Sequence, residues 1–414
     1  MSSPKQSLAG NLNLRLLIVA ARISLPAIVV QTHLLWQLQP ASAASFENRF
    51  AAATATPAST VASPTESSHD SQLLLFPQAP QFVEQTRGDR HTRSGEIYFD
   101  RKDYTNALIE YQTAVKDNPQ DYKAHLMLGR VLMAMSDFEA GGSEFEQAVT
   151  LEPDSTEAHF WLGQAHRLQG KYTQAEAEYR LAIKHDAKNA LARALLGECH
   201  RMRNLPAAAL LELRRAEKLE PSLPQTHTIM GQTYLGLGRI QQALEEYKQA
   251  IELAPNDPYV RFRLAQSLGK LQRWQESEQE FNKAIDLDPK YADAHIGLAW
   301  ALAYQGKFAD AVKAAKQSIA LAPNDPDAHS NLAFIHCKDG DPEAAVQEYK
   351  QALRLNPKNV QLHRALGMAL SQTTATDEAI VELTTASQLF PEDDDVKLTL
   401  QALIQKRKAQ QLAE

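Results

Sequence analysis

Prolines stand at Pro119, Pro153, Pro221, Pro255, Pro289, Pro323, Pro357 and Pro391, and every interval between neighbours is 34 or 68 residues. Ala187 fills the one gap in the series. Counting back from these positions gives nine consecutive units of 34 residues over 88–393, without an insertion or deletion. A single closed globule has no reason to keep such a beat. A fixed period of this length marks a repeated supersecondary unit, and it constrains the fold more than any other feature of the chain.

Three more columns keep the same phase. The eighth residue of each unit is small (Gly129, Gly163, Gly231 and Ala299 among them), and so are the twentieth (Ala107, Ala243) and the twenty-seventh (Ala148, Ala284). Within each unit two stretches of about 14 residues carry apolar residues at helical spacing, separated by a polar break such as QGKY or LGRI. Small residues at fixed places let two antiparallel helices approach closely while Leu, Tyr and Phe fill in around them. Proline after the second helix stops it and turns the chain. One hairpin cannot cover its own apolar face, so neighbours must stack into a solenoid.

The unit, with Leu then Gly or Ala at positions seven and eight, Ala at twenty and twenty-seven, an aromatic at twenty-four and Pro at thirty-two, resembles the tetratricopeptide repeat. The resemblance covers 88–393, about three quarters of the 414-residue chain. It implies an all-α, right-handed superhelical solenoid of antiparallel helix pairs. Departures include Ser94 for Leu, Ala187 for Pro and Ala315 for the aromatic. Continuing the count, 394–414 reads as a C-terminal capping helix, in which Leu400 and Ile404 keep apolar places and Gln401 takes the small-residue site.

The N-terminal segment differs in kind. Residues 1–46 contain no Asp or Glu, carry Lys5, Arg15 and Arg22, and run through an apolar stretch to PASAAS at 40–45. That order describes an export signal over 1–43. The longest uncharged apolar run, Ile23–Leu38, is shorter than the ~20 residues a spanning helix needs. An uncleaved membrane anchor and an organellar transit peptide are the alternatives. The repeats are therefore expected outside the cytoplasm, periplasmic, secreted or tethered, or imported into an organelle. Residues 44–87, rich in Ala, Ser, Thr and Pro, read as a flexible linker, with the apolar LLLFPQAPQF at 73–82 as a segment that could tuck against the array.

Composition excludes several functions. The net charge of −7 and pI near 6.0 argue against a nucleic-acid binder. Two cysteines, Cys199 and Cys337, cannot build a disulfide framework or a thiolate zinc site, and a reactive thiol is considered only at Cys337. There is no HExxH, GxxxxGK[ST], GxGxxG or GxSxG. No enzyme activity and no cofactor are expected.

Ten of the 13 histidines fall in two columns: seven at position four (His91, His125, His159, His227, His295, His329, His363) and three at position eleven (His166, His200, His336). A metal ladder would need further ligands, and no carboxylate or cysteine is read as recurring in phase to supply them. The histidines are expected to pack inside the hairpins.

In the family resembled here, positions two, five, nine and twelve of the first helices face a concave groove. Here the ninth column passes from polar residues to Trp300, Phe334 and Met368, and the fifth contributes Phe160, Phe262 and Ile296. Ile296, Trp300, Phe334 and Met368 are expected as an exposed apolar cluster for a protein or peptide partner. Arg130, Arg167 and Arg201 form a basic stretch that could receive an acidic peptide. No unit has the Lys at five with Asn at nine by which some family members hold chaperone tails. The expected function is a non-catalytic interaction scaffold, the alternative a regulatory or substrate-presenting subunit of an envelope transferase or secretion complex.

Overall fold

The computed structural model describes residues 87–389 and 391–413, so the expectations for 1–86 lie outside the described residues. Among the described residues there are 19 helices and no strand. They follow the 34-residue frame as nine antiparallel pairs, from Arg87–Asp100 with Tyr104–Asp117 to Val360–Leu370 with Thr376–Leu389. Each second helix also packs on the first helix of the next unit. This is an all-α solenoid of helix pairs.

The small columns do what their spacing predicts. A Cβ on Gly231 would lie 2.6 Å from the Tyr247 ring, and one on Gly129 would lie 2.6 Å from that of Phe145. Each glycine is therefore the floor on which the aromatic of its own second helix lies. Tyr111, Phe145, Tyr179 and Tyr247 are fully buried there, while Phe281, whose own unit has Ala265 at position eight, is buried against Gly297 of the next unit. In units four and nine Leu213 and Leu383 take that place, against Gly197 and Gly367. In unit seven the pairing is small on small: Ala299 and Ala315 are both buried, with Leu332 and Ile335 of unit eight completing the cluster.

Boundaries are set by local chemistry. Asp121, Ser155, Asn189, Asp257, Asp325 and Asn359, the last residues of their units, cap the following helix by accepting its free N–H groups. The turn inside each hairpin hinges on position fifteen, which is left-handed in eight of nine units. Gly170, Gly238, Gly306 and Gly340 occupy it at no steric cost, but Lys102, Ser136, Asn204 and Gln272 hold it too, with φ from 58° to 66°. The next amide then reaches back to the helix, as from Asp103 N to Tyr98 O at 2.9 Å.

The last helix, Asp394–Ala413, packs on the second helix of unit nine. Val396 and Leu403 are its buried contacts, Leu400 packs part-buried beside them, and Gln401 is exposed.

Candidate interaction face

The position-four side chains form a repeated clasp. Nδ1 of His125, His159 and His227 meets Glu144, Glu178 and Glu246 at 2.7, 2.7 and 2.9 Å, and His91, His329 and His363 make the same contact to Glu110, Glu348 and Glu382. In each case the carboxylate lies 19 residues on, across the hairpin. Nε2 of His125, His159, His227 and His363 faces the carbonyl six residues back, in the preceding unit, as His159 does to Pro153 O at 2.9 Å. Arg193 and Arg261 replace histidine in units four and six and make the same pair of contacts, to Glu212 with Ala187 O and to Glu280 with Pro255 O.

A carboxylate column at position twenty-three therefore does recur in phase, contrary to the sequence reading, and only unit seven lacks it, with Ala314 there. Its partner in each clasp is an imidazole or guanidinium across the hairpin, and at His227 carboxylate and carbonyl are both acceptors, which favours a ring that donates through both nitrogens. The hydrogen bond that His227 donates to Glu246 holds its imidazolium above the ordinary histidine range despite burial, with the Pro221 carbonyl and Glu217 adding to it. His166 and His200, in the eleventh column, are instead pushed down by burial. Among the described residues no group of His, Cys, Asp and Glu could hold a metal ion.

The apolar cluster is not exposed. Trp300 is 6 % and Phe334 3 % accessible. Their rings stack at 4.4 Å, Tyr304 lies against Trp300 at 5.9 Å, and Trp274 stacks on Tyr304 at 4.3 Å. The Trp300 indole N–H donates to Asn331 Oδ1 at 2.9 Å. Neighbouring first helices thus bring Trp300 and Phe334 face to face, Trp274 joins from the second helix of unit six, and the ladder covers itself. Ile296 and Met368 remain half-buried at its flanks. The Lys338 ammonium caps the ladder, 5.2 Å from Tyr304 and 5.7 Å from Phe334, and burial holds it below the usual lysine range. Phe262 is core as well, against Phe281 at 5.8 Å and Tyr291 at 5.0 Å. Phe160 is half-buried beside Trp161.

The basic stretch is also corrected. Arg167 is buried and donates to Glu198 at 3.3 Å and to Gln164 at 2.9 Å, so its charge is met inside the fold. The Arg130 guanidinium lies between the Phe99 and Trp161 rings, 5.2 Å from each, with Glu157 at 3.7 Å. Arg201 keeps only a 3.8 Å approach to Glu198. Burial pushes the Cys337 thiol up to about 11 and Cys199 to about 12, which disfavours the thiolate at both.

Tetratricopeptide-repeat models match residues 126–190, 169–224 and 230–292, further models of the same repeat match 95–136 and 335–373, and others match 270–335 and 302–348. The chain belongs to the tetratricopeptide-repeat family. No curated protein matches it in sequence. Among solved structures it is similar to the APC/C hetero-tetramer Cut9–Hcn1, at TM-score 0.53 and 16 % identity over 70 % of this chain. The match covers 57 % of that chain's length. Yeast Tom70 is similar at TM-score 0.42 and 16 % identity over 78 % of this chain and 88 % of that one. The pilF protein of Pseudomonas aeruginosa is similar at 0.43 and 20 % identity, over 50 % and 95 %. Tetratricopeptide arrays are typically non-catalytic scaffolds for protein or peptide partners. No helix among the described residues is long and apolar enough to cross a membrane.

Proposed function

We propose that this chain is a non-catalytic scaffold that holds a protein or peptide partner along the face formed by its first helices. What carries the reading is a repeat array of this family whose inner columns leave large side chains (Ile296, Met368, Tyr304) and cations (Lys338, Arg263) half-covered beside a stacked ring ladder. Such a mix of aromatic anchors and polar surround is how helical grooves hold extended partners. The apolar run near the N-terminus is read as an export signal or anchor that puts the array outside the cytoplasm.

A photo-crosslinking residue at Ile296 or Met368 should capture a partner from the native cell. The same residue at Leu211 or Val381, which are 53 % and 62 % exposed on second helices, should not. Capture from the second-helix positions alone would move the site to the other face.

A further inference from the structure

Charges in the first-helix face are not balanced alike along the array. In units one to four they find carboxylates: Lys123 with Glu96, Arg130 with Glu157 and Arg167 with Glu198. In unit six the pattern breaks. Arg263 forms no ion pair among the described residues; it meets Gln266 Oε1 at 2.9 Å, the face of Tyr259 at 6.0 Å and the Tyr247 hydroxyl, none of them a charge. Its Nε is buried without a hydrogen-bond partner.

Arg263 shares its surroundings with other incompletely met groups. Arg201 and Arg263 both act on the hydroxyls of Tyr247 and Tyr259, so the two guanidinium groups border one spot. Arg201 Nε and Gln232 Oε1 are buried there without a partner. Gln232 itself is 5 % exposed, and its amide N–H donates to the Tyr259 hydroxyl at 2.7 Å. The carboxylate at this spot, Glu198, is already shared between Arg167 at 3.3 Å and Arg201 at 3.8 Å.

Lys270 follows Arg263 by seven residues on the same helix, which places it on the same side about 10 Å further along. Burial, and then the Arg263 charge, hold its ammonium below the ordinary lysine range. Buried guanidinium N–H groups without acceptors, as at Arg201 and Arg263, are destabilising unless something answers them.

We propose that the first-helix face of units four to six is a docking site for an acidic segment of a protein partner, with carboxylates at Arg201, Arg263 and Lys270. The proposal rests on the reading of that face as the partner face and names the chemistry of what it takes. A single small anion covers one end of a site about 10 Å long. An extended chain rising about 3.3 Å per residue presents several carboxylates across it. A polynucleotide carries like charge, and the competitors in the test separate the two.

The test is fluorescence anisotropy of a fluorescein-labelled hexaglutamate peptide with the full chain. Hexaglutamine serves as the uncharged control, and hexathymidylate and inorganic phosphate as competitors. Hexaglutamate is expected to bind, hexaglutamine not, and binding should weaken as salt rises. Arg263→Gln and Lys270→Glu should each weaken it about tenfold or more, with unchanged helical circular dichroism for Lys270→Glu, whose side chain is only half-buried. No binding of hexaglutamate, or wild-type affinity in both variants, would overturn the proposal. So would displacement by phosphate at equal charge, which means a plain anion site, or tighter binding of hexathymidylate, which means a nucleic-acid site. If any of these occurs while Ile296 and Met368 still crosslink a partner, the scaffold reading stands and only the acidic assignment falls.

Discussion

Units four to six and units seven to eight share one frame and one backbone, yet their first-helix faces end in opposite states. In units seven and eight the ninth column is Trp300 and Phe334, and adjacent rings stack until each is covered. In units four to six it is Glu198, Gln232 and Gln266, and the same adjacency leaves donors and acceptors partly unmet. The repeat fixes where a side chain points. What stands one unit away in the same column decides whether the face closes on itself or stays open to a ligand.

The largest test of that contrast is Trp300→Ala. Removing the ring from between Tyr304 and Phe334 should cost about 3–5 kcal/mol in urea unfolding. Gln232→Ala, in the polar half, should cost less, about 1–2 kcal/mol, because its carbonyl has no partner to lose and only the amide bond to Tyr259 goes. Similar values for the two would mean that the aromatic half does not close on itself.

Next comes the floor of the hairpins. Gly231→Ala drives a methyl into the Tyr247 ring and should destabilise by about 1–3 kcal/mol. In unit seven the equivalent residue is already Ala299, tolerated because Ala315 stands opposite. A neutral Gly231→Ala would show that unit five repacks as freely as unit seven.

A smaller effect separates the clasps by pH. His227 has a raised pKa in the fold, so the stability it supplies is fully present below the unfolded value of about 6.5 and is lost as pH rises through the folded value. Glu246→Gln should remove that dependence and about 1.5 kcal/mol on the acid side. His166 and His200 run the other way: their folded pKa values are depressed, so their contribution is present above about 6.5 and fades as pH falls towards the folded values. Thermal melts of the wild type and Glu246→Gln that stay parallel across this range would rule out the charged clasp.

The smallest effect is a gain. Lys102→Gly or Gln272→Gly relieves a left-handed residue in the hairpin turn and should stabilise by up to about 1 kcal/mol, after the greater freedom of glycine in the unfolded chain is set against it.

The helix pairs were legible because each depends on residues within one period: Pro119 and its successors, the small columns, the aromatic at twenty-four. So was the placement of His125, His159, His227 and His295, all buried. The Glu column at twenty-three was present in the sequence and missed, because a glutamate on a helix otherwise reads as solvated surface until its partner across the hairpin is known. Trp300 and Arg167 failed for a different reason. Each pairs with a residue 31 positions on, Asn331 and Glu198, and burial there follows from two units meeting rather than from either alone. The left-handed turn was announced by Gly170 and Gly238 and concealed by Lys102 and Gln272, which adopt it against preference.

Unit seven gathers three omissions in one place. Its first helix begins without a capping side chain at Tyr291, its His295 has no glutamate across the hairpin, and its aromatic is Ala315. A linear array transmits cooperativity only between neighbours, so a weak link divides it. Amide exchange should open first at this joint, letting the array breathe as two halves, with the cationic units on one side and the C-terminal cap on the other.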